Sequence, residues 1–541
     1  MRSFQSFFNT SFPNSFVACG ERKVSYSELF NSAKALAKGL SMSGIGLQAK
    51  VVIISQPSIE WIVCDNACLN AGIITIPLFP NSSGETLAFQ IENSQPDFLI
   101  AENEDVLQKI KNATSYAFKN VFVMQRSETS NVRAIADLIS EAKWGEGDAL
   151  PDVEQSLPAT IIYTSGTSGN PKGVVLTHSN FAHQVYDIQN SYPEITSTDV
   201  AISILPMAHV YQRTIMYFYL LRGVTIHIVN DVANTIKYIE QIQPSLITIV
   251  PRVLEKVYAR VKSQIEAKPK VLRNLLLKIF ERSSKSIINN KLLHFFIDVI
   301  LFKKVRAVFG HNIKYIVCGG AKLNSHEETF FFNAKVCVLQ GYGMTESSPV
   351  IASNTKQYHK LYTVGKALPS VEVKIAGDGE ICIRGASVFN GYYGKEPRNP
   401  LQFFETGDRG MIDSDGFLSV IGRIKEQFKT ANGKFINPVK IESYLNEIEG
   451  VENACVIAEG KPFVTAIIFS KRSDIDAMQK QIHAINTHLE HHEQVQYFYV
   501  SPIPPTVENN IITPSMKIRR NYIAEKFSTE IEEMYKKIKN T

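Results

Sequence analysis

The feature that most constrains the fold is a regular alternation of short apolar strands with amphipathic helices in the first part of the chain. Residues 24–44 have a helical pattern, and Ser25 and Glu28 near its start have the three-residue spacing of a capping box. Further segments of both kinds alternate behind it, as strands at 50–54, 72–78 and 97–101 and helices at 59–71 and 84–93. Such alternation with short links is typical of a doubly wound parallel sheet, so we expect an α/β fold.

The alternation continues after residue 158 and gives way to short strands near residue 371. Residues 159–251 predict a second open sheet. Short strands flanked by glycine and aspartate then predict a small β-barrel, at 371–375, 379–385 and 416–423. The rest of the chain holds enough strands and helices for an α+β unit of its own. We therefore predict a large N-terminal domain at 1–423 and a small C-terminal domain at 424–541.

A loop rich in glycine and hydroxyl residues follows a predicted strand at Tyr163–Gly173, with the sequence YTSGTSGNPKG. Glycines let backbone N–H groups turn toward one anion, hydroxyls add donors, and Lys172 adds a positive charge. The loop lacks the order G-x-x-x-x-G-K-[ST] of the Walker motif. Strand-like residues on both sides favour a structured loop over a flexible serine and glycine linker. By itself the loop predicts an anion site and leaves the ligand open.

Three later segments carry side chains suited to a nucleotide. GYGMTE at 341–346 places an aromatic ring between two glycines and then supplies a hydroxyl at Thr345 and a carboxylate at Glu346, which suits Mg²⁺. The segment TGD ends at Asp408, whose carboxylate can accept hydrogen bonds from ribose hydroxyls. PSMK at 514–517 places a lysine near the C-terminus. Each segment taken alone also has an interpretation that involves no ligand. GYGMTE could be a strand–turn–helix, TGD a hairpin and PSMK part of a solvated tail.

A basic stretch lies between residues 252 and 306. It holds 14 lysine and arginine residues against four acidic ones, and apolar residues recur among them at helical spacing. A basic amphipathic surface of this kind can dock on anionic lipid headgroups. The alternative is the solvated outer face of ordinary packed helices. The sequence leaves both interpretations open.

Composition excludes several classes of protein. A hydrophobic content of 44% and a charged content of 20% are typical of a globular chain, and a net charge of +5 over 541 residues gives no indication of a nucleic-acid partner. The seven cysteines are scattered; Cys64 and Cys68 have helical spacing, which predicts a buried helix face in a reducing compartment. We find neither a signal-peptide pattern nor an apolar run long enough to cross a bilayer. We therefore expect a cytoplasmic protein, soluble or peripheral on a membrane surface.

Taken together and in this order, the segments resemble the adenylate-forming superfamily of AMP-forming acyl-CoA synthetases, firefly luciferases and peptide-synthetase adenylation domains. YTSGTSGNPKG resembles its phosphate loop, and this is the most specific match. GYGMTE, TGD, GRIKEQFKTANGK and PSMK resemble its nucleotide, ribose-binding, hinge and C-terminal lysine motifs. The resemblance spans essentially the whole chain. LPMAHVYQR at 205–213, with KEQFK and NGK in the hinge, looks most like long-chain fatty acyl-CoA synthetases.

The resemblance implies a reaction in two halves, with ATP, Mg²⁺ and coenzyme A as cofactors. A fatty acid carboxylate first attacks the α-phosphorus of ATP, giving acyl-AMP and pyrophosphate. The C-terminal domain then rotates about Lys425, and the coenzyme A thiol attacks the acyl-AMP carbonyl.

The implied roles fall on matching positions of this chain. Lys517 would bridge the carboxylate and the α-phosphate, Thr345 would contact the α-phosphate, and Glu346 would hold Mg²⁺. His209 would lie near the acyl carboxylate, with a core histidine beside a helix start as the alternative. Lys429 and Gly433 belong to the face that replaces Lys517 in the second half. The implied nucleotide contacts are Thr164, Ser165, Gly166, Thr167, Ser168, Gly169 and Lys172 at the β- and γ-phosphates, Gly319, Gly320, Ala321 and Tyr342 at the adenine, Gly341 and Gly343 in the same motif as Tyr342, and Asp408 and Arg423 at the ribose.

Two departures from the family pattern weaken the assignment to the long-chain fatty acyl-CoA synthetases. The D-G-W that often precedes T-G-D is replaced by Leu401–Glu405, and the hinge position that is commonly aspartate is Lys425. Two alternative functions also stay open. One is a ligase that passes an acyl or aryl adenylate to a carrier protein, and the other is a peripheral membrane protein that binds nucleotide without turnover.

Overall fold

The computed structural model describes residues 12–127, 131–145, 148–164, 171–231, 234–424, 428–431, 434–472, 474–513 and 518–536. The strands in this part of the chain are β1 Phe16–Cys19, β2 Arg22–Ser25, β3 Lys50–Ile54, β4 Ile74–Leu78, β5 Phe98–Ala101, β6 Asn120–Val123, β7 Pro158–Thr164, β8 Lys172–Thr177, β9 Val200–Ser203, β10 Thr225–Ile228, β11 Leu246–Ile249, β12 Tyr315–Cys318, β13 Val338–Gly343, β14 Val350–Ser353, β15 Lys366–Ala367, β16 Val371–Ile375, β17 Glu380–Gly385, β18 Gly391–Tyr392, β19 Phe404–Ile412, β20 Leu418–Arg423, β21 Phe428–Lys429, β22 Phe435–Ile436, β23 Val451–Ile457, β24 Val464–Ser470 and β25 Val495–Ser501.

The helices in the same residues alternate with these strands through the first two thirds of the chain. They are α1 Tyr26–Met42, α2 Ile59–Asn70, α3 Gly84–Ser94, α4 Glu104–Ala113, α5 Ile135–Ala142, α6 His178–Ser191, α7 Val210–Arg222, α8 Thr235–Ile242, α9 Pro251–Glu266, α10 Lys270–Lys285, α11 Lys291–Ile297, α12 Lys303–Val308, α13 Ser325–Asn333, α14 Pro438–Asn446, α15 Ile475–Asn486, α16 Arg520–Lys526 and α17 Ser528–Lys536. A π-helical turn, Asp298–Phe302, joins α11 to α12, so 291–308 is one continuous helical segment. The predicted capping box is present at α1, where Ser25 accepts from the backbone N–H of Glu28.

Two large mixed sheets form the centre of the molecule, as the α/β prediction requires. One has the order β18-β8-β7-β4-β3-β5-β6, and the other has the order β15-β14-β13-β12-β11-β9-β10-β1-β2. The strands from β3 to β6 pair in parallel, as do those from β9 to β13. The central strands of each sheet carry apolar side chains that are buried on both faces. An example is β3, in which residues 51–54 are fully buried. The α/β class and the doubly wound sheets are confirmed.

The two sheets divide the chain differently from the prediction. The hairpin β7–β8, which we assigned to the second sheet, extends the first sheet, because β7 pairs with β4. The second sheet instead gains β1 and β2 from the beginning of the described chain, since β1 pairs in parallel with β10. Pairing partners of this kind depend on long-range packing, which strand periodicity does not encode.

A buried ion pair joins helices α7 and α2. Arg213 of α7 and Asp65 of α2 are almost fully buried and hydrogen-bond to each other. The Arg213 guanidinium also donates to the hydroxyls of Thr75 and Thr160 and to that of Tyr217. Its donors therefore find acceptors on β4 and β7, and this network ties α7 to the first sheet.

The predicted small barrel is a four-stranded antiparallel half-barrel in the order β16-β17-β19-β20. Behind it, β23, β24 and β25 form a three-stranded sheet covered by α14 to α17, with its own buried apolar clusters. We did not predict β25, which pairs in parallel with β24. The last two helices of the described residues, α16 and α17, meet at Phe527. No helix of the described residues combines the length and the apolar character that a membrane crossing requires.

Candidate nucleotide site

The ends of the predicted phosphate loop are held together by the hairpin β7–β8. Thr164 and Lys172 are paired across the two strands, and Tyr163 pairs with Gly173. The strand before the loop is buried and the one after it ends at Thr177, whose hydroxyl accepts from the backbone N–H of Asn180 and caps α6. The predicted contacts Ser165, Gly166, Thr167, Ser168 and Gly169 lie outside the described residues. The described flanks place Lys172 at the mouth of the hairpin, where it is exposed.

Glu346 connects the nucleotide motif to this hairpin. It lies in a 3₁₀ turn, Thr345–Ser347, together with the half-buried Thr345, and only 7% of Glu346 is exposed. The Tyr392 hydroxyl donates to Glu346 Oε1 at 2.9 Å, and the Lys172 ammonium lies 5.3 Å from the centre of the same Tyr392 ring. Tyr392 is held beside β8 because β18 pairs with Val174 and Val175. One aromatic side chain therefore brings the lysine and the carboxylate together.

Burial raises the pKa of the Glu346 carboxyl, while a hydrogen bond from its own backbone N–H, the Tyr392 hydroxyl and the nearby charges of Arg423 and Lys172 lower it. Burial is the largest of these effects, so the ionised form of Glu346 is disfavoured by desolvation and supported by two hydrogen-bond donors and two cations. A cation bound at this carboxylate would remove much of the desolvation cost. The site is therefore suited to a positively charged ligand.

A second chain of contacts joins the nucleotide motif to the half-barrel. The Tyr342 hydroxyl donates to Asp408 Oδ2 at 2.6 Å, and Arg423 Nε lies 3.0 Å from Asp408 Oδ1. Asp408 and Arg423 are directly opposed on β19 and β20, which fixes their distance through the sheet register. Burial and the neighbouring Asp408 carboxylate raise the pKa of Tyr342, so its phenol stays a hydrogen-bond donor. The predicted adenine and ribose residues are thus in contact.

Glycines lie at the carboxyl ends of the adjacent parallel strands β12 and β13, where neighbouring groups approach the backbone closely. A Cβ on Gly343, at the end of β13, would lie 1.8 Å from the carbonyl oxygen of Pro349, so no side chain fits there. Gly319 follows β12, and a Cβ there would lie 3.2 Å from the Tyr211 ring. Gly320 has φ +83°, a conformation that favours glycine. Ligand sites in open α/β sheets lie at such strand ends. Gly341 is in β13 itself, and Ala321 is exposed next to Gly320.

His209 lies at the beginning of α7, where its Nδ1 accepts from the backbone N–H of Tyr211 at 3.2 Å. The ring is half-buried and caps the helix, the position that we gave as its structural alternative. Tyr211, two residues on, packs on Gly319. The helix that carries His209 thus borders the same strand end as the predicted adenine residues.

The predicted residues of the C-terminal unit are described only in part. The backbone of Lys429 is in the short strand β21, which pairs with β22. Gly433, Lys425 and Lys517 lie outside the described residues. On either side of the PSMK segment, Ile512 and Ile518 form an antiparallel bridge.

The C-terminal unit contacts the N-terminal part next to the adenine loop. Asn324 follows Gly319–Ala321 closely, and its side-chain amide donates to Ser443 Oγ at 3.3 Å and to Glu447 Oε1 at 2.9 Å. Nearby, Arg252 at the start of α9 donates to the carbonyl oxygen of Glu452 at 2.8 Å. This interface also surrounds the carboxyl of Glu327, whose pKa burial raises to about 9, with Glu255 and Glu447 adding to the effect.

Sequence reasoning missed Tyr392. The dipeptide Tyr392–Tyr393 follows Gly391 in a segment without a recognisable motif, and nothing local indicates that β18 pairs with β8. Its role is visible only when the two segments are brought together in the fold.

The fold defines the class of the protein as an α/β chain of two mixed sheets and a half-barrel, followed by an α+β unit. A family model described as AMP-binding enzyme matches residues 9–393, and one described as AMP-binding enzyme C-terminal domain matches residues 425–539. The chain belongs to the AMP-binding enzyme family.

Individual proteins agree with this assignment. The long-chain-fatty-acid–CoA ligase FadD15 of Mycobacterium bovis is 30% identical, over 95% of this chain and 92% of its own length. A chloroplastic long-chain-fatty-acid–[acyl-carrier-protein] ligase of Arabidopsis thaliana, AEE15, is 25% identical, over 95% of this chain and 83% of its own. Among solved structures, the O-succinylbenzoate coenzyme A synthetase of Bacillus subtilis, in complex with AMP, superposes with a TM-score of 0.69 at 21% identity, covering 96% of this chain and 98% of its own.

Proposed function

We propose that this protein is an AMP-forming ligase that activates a long-chain fatty acid with ATP and transfers the acyl group to coenzyme A. The observation that carries the proposal is the meeting of three separate motifs. Lys172 of the phosphate loop, Glu346 of the nucleotide motif and Asp408 of the ribose segment are linked through Tyr392, Tyr342 and their hydrogen bonds. The 30% identity to a ligase of this name over nearly the whole chain supports the choice of substrates.

In the first half-reaction the chain's own groups would bind and orient ATP and the acid. The hairpin mouth from Thr164 to Lys172 would hold the β- and γ-phosphates, and Thr345 would donate to the α-phosphate. Asp408 would accept from the ribose hydroxyls while Arg423 balances its charge. Tyr342, with Gly319–Ala321, would border the adenine. Phosphoryl chemistry of this kind depends mainly on positioning and on charge neutralisation, which these groups provide.

The residues present fit Mg²⁺ at Glu346. A buried carboxylate with one oxygen engaged by Tyr392, next in sequence to the hydroxyl of Thr345, is an oxygen donor set of the kind that holds Mg²⁺ together with substrate phosphates. When bound, Mg²⁺ supplies neutralisation of phosphate charge.

We further propose that the chain divides at residues 423 and 424 and that the C-terminal unit changes position between the half-reactions. Lys517 would act in adenylation, and Lys429 and Gly433 would face the acyl-AMP during thioester formation. The contacts of Asn324 and Arg252 with the C-terminal unit are polar, as expected of an interface that opens and closes. His209 would orient the acyl carboxylate from the start of α7.

The test is AMP release across carboxylates of graded chain length, with and without coenzyme A. We expect turnover with long-chain acids that depends on coenzyme A. Formation of acyl-AMP without any free thioester would instead favour a carrier-protein acceptor, the alternative that the relative AEE15 supports. Absence of pyrophosphate–ATP exchange with every acid would refute catalysis and favour a protein that binds nucleotide without turnover.

A further inference from the structure

The helical segment 291–308 carries apolar side chains on two opposite faces. Its inward face is part of the hydrophobic core and packs against the helices of the second sheet. The buried side chains there, each at most 5% exposed, are Ile297, Leu301, Phe302 and Val305. A helix of this length at a protein surface normally presents polar residues on its other side.

The outward face is apolar instead. Its exposed side chains recur at positions i, i+3, i+4, i+7 and i+8, which place them along one side of a helix. They are Leu292 at 67%, Phe295 at 62%, Phe296 at 56%, Val299 at 58% and Ile300 at 43% exposed. The Phe295 and Phe296 rings contact each other edge to face, 6.0 Å apart. A contiguous exposed apolar face of this size marks an interaction surface.

Lysines lie at both ends of this face. Lys291 lies at one end, Lys303 and Lys304 lie at the other, and all three are exposed. The acidic residue of the segment, Asp298, is neutralised by Arg306, with contacts of 2.6 and 2.9 Å. The neighbouring helix α10 repeats the combination, with exposed Val271, Leu272 and Leu275 next to exposed lysines.

We propose that the outward face of 291–308 docks on an anionic lipid bilayer. Exposed phenylalanine and aliphatic side chains would enter the interfacial region while the lysines contact the headgroups. A second copy of this chain fits less well, because a two-fold contact would bring the lysines of both copies close together without compensating acids. Charge complementarity therefore selects the lipid. The proposal does not depend on which acid the enzyme activates.

The experiment is co-sedimentation of the full-length chain with vesicles of phosphatidylcholine alone or with one fifth phosphatidylglycerol. Phe295→Ser with Phe296→Ser should lower the binding constant for the anionic vesicles by tenfold or more. Lys303→Gln with Lys304→Gln should lower it by about fivefold per lysine, and only at low salt. Leu401→Ser with Ile475→Ser removes two comparably exposed apolar side chains elsewhere, at 77% and 61%, and should leave binding unchanged.

Far-UV circular dichroism and the thermal midpoint confirm that the variants are folded, and pyrophosphate exchange without vesicles should be unaffected. Equal binding of the wild type to neutral and anionic vesicles, or no binding to either, overturns the proposal. So does a phenylalanine double variant that binds like the wild type. A dimeric wild type that the phenylalanine substitutions convert to a monomer, without any change in vesicle binding, would show that the face joins two copies of the chain.

Discussion

Removal of a single hydroxyl should shift the protonation equilibrium of the buried Glu346 carboxyl. Tyr392→Phe deletes the donor that lies 2.9 Å from Glu346 Oε1 and leaves the ring beside Lys172 in place. A hydrogen bond to a charged acceptor contributes about 1.5–3 kcal/mol. Tyr392 is half-buried, so water replaces part of the lost interaction, and we take the lower value.

A cost of about 1.5 kcal/mol corresponds to roughly one pH unit. Burial already raises the pKa of Glu346, and loss of the Tyr392 donor favours the protonated form further. If the ionised carboxylate is the active form, activity is present above this pKa and is lost as the pH falls through it. The acid limb of the activity profile should therefore move to higher pH by roughly one unit in the variant.

The assay is kcat/KM for ATP from pyrophosphate release between pH 5 and pH 9 at saturating Mg²⁺. Tyr393→Phe is the matched control, because the Tyr393 hydroxyl contacts Lys50 and the carbonyl oxygen of Ser94 rather than Glu346. The reasoning is refuted if the acid limb of Tyr392→Phe coincides with that of the wild type, or if Tyr393→Phe moves it equally.

Three further substitutions test other parts of the structure. Asp408→Asn keeps an acceptor for Tyr342 but loses the charge paired with Arg423. KM for ATP should therefore rise by about tenfold with little change in kcat. Steady-state kinetics in which kcat falls and KM for ATP is unchanged would contradict a ribose contact. The buried Glu327 carboxyl must be protonated in the folded wild type, so the wild type loses stability as the pH rises from 4.5 toward 9. Glu327→Gln should therefore stabilise the protein more at pH 8.5 than at pH 5. An increase in thermal midpoint over the wild type that is the same at both pH values would contradict this. Arg213→Ala removes the cationic partner of the buried Asp65 carboxylate and leaves it with the Tyr217 donor. It should lower the free energy of unfolding by about 3–5 kcal/mol in denaturant titrations, whereas a loss below about 1 kcal/mol would contradict the proposed network.

Local patterns predicted those elements of the fold whose signals lie in neighbouring residues. The capping box at Ser25 and the apolar strand Lys50–Ile54 depend on neighbouring residues alone, and both are present. The assignment of strands to sheets was less accurate, because β7 and β8 read like any other strands and their pairing with the first sheet is set by tertiary packing. The strand Val495–Ser501 was missed although its valine and aromatic residues favour a strand.

Motif residues predicted much of the candidate site, because chain order and residue type were sufficient to relate them to a family. The contacts between Tyr342, Asp408 and Arg423 connect residues selected from the sequence. Tyr392 was not predictable, since its importance arises from a strand pairing made more than 200 residues away in sequence. The outward apolar face of 291–308 was also hidden, because helical periodicity shows that a face exists without showing whether it is covered.

We propose that one site performs adenylation with Lys517 and then thioester formation without it. The most direct measurement is to separate the two half-reactions of Lys517→Ala in the full-length chain. We predict that acid-dependent pyrophosphate–ATP exchange is lost, while supplied acyl-AMP and coenzyme A still give the thioester at nearly the wild-type rate. Equal loss of both activities, or exchange that survives the substitution, would contradict the account.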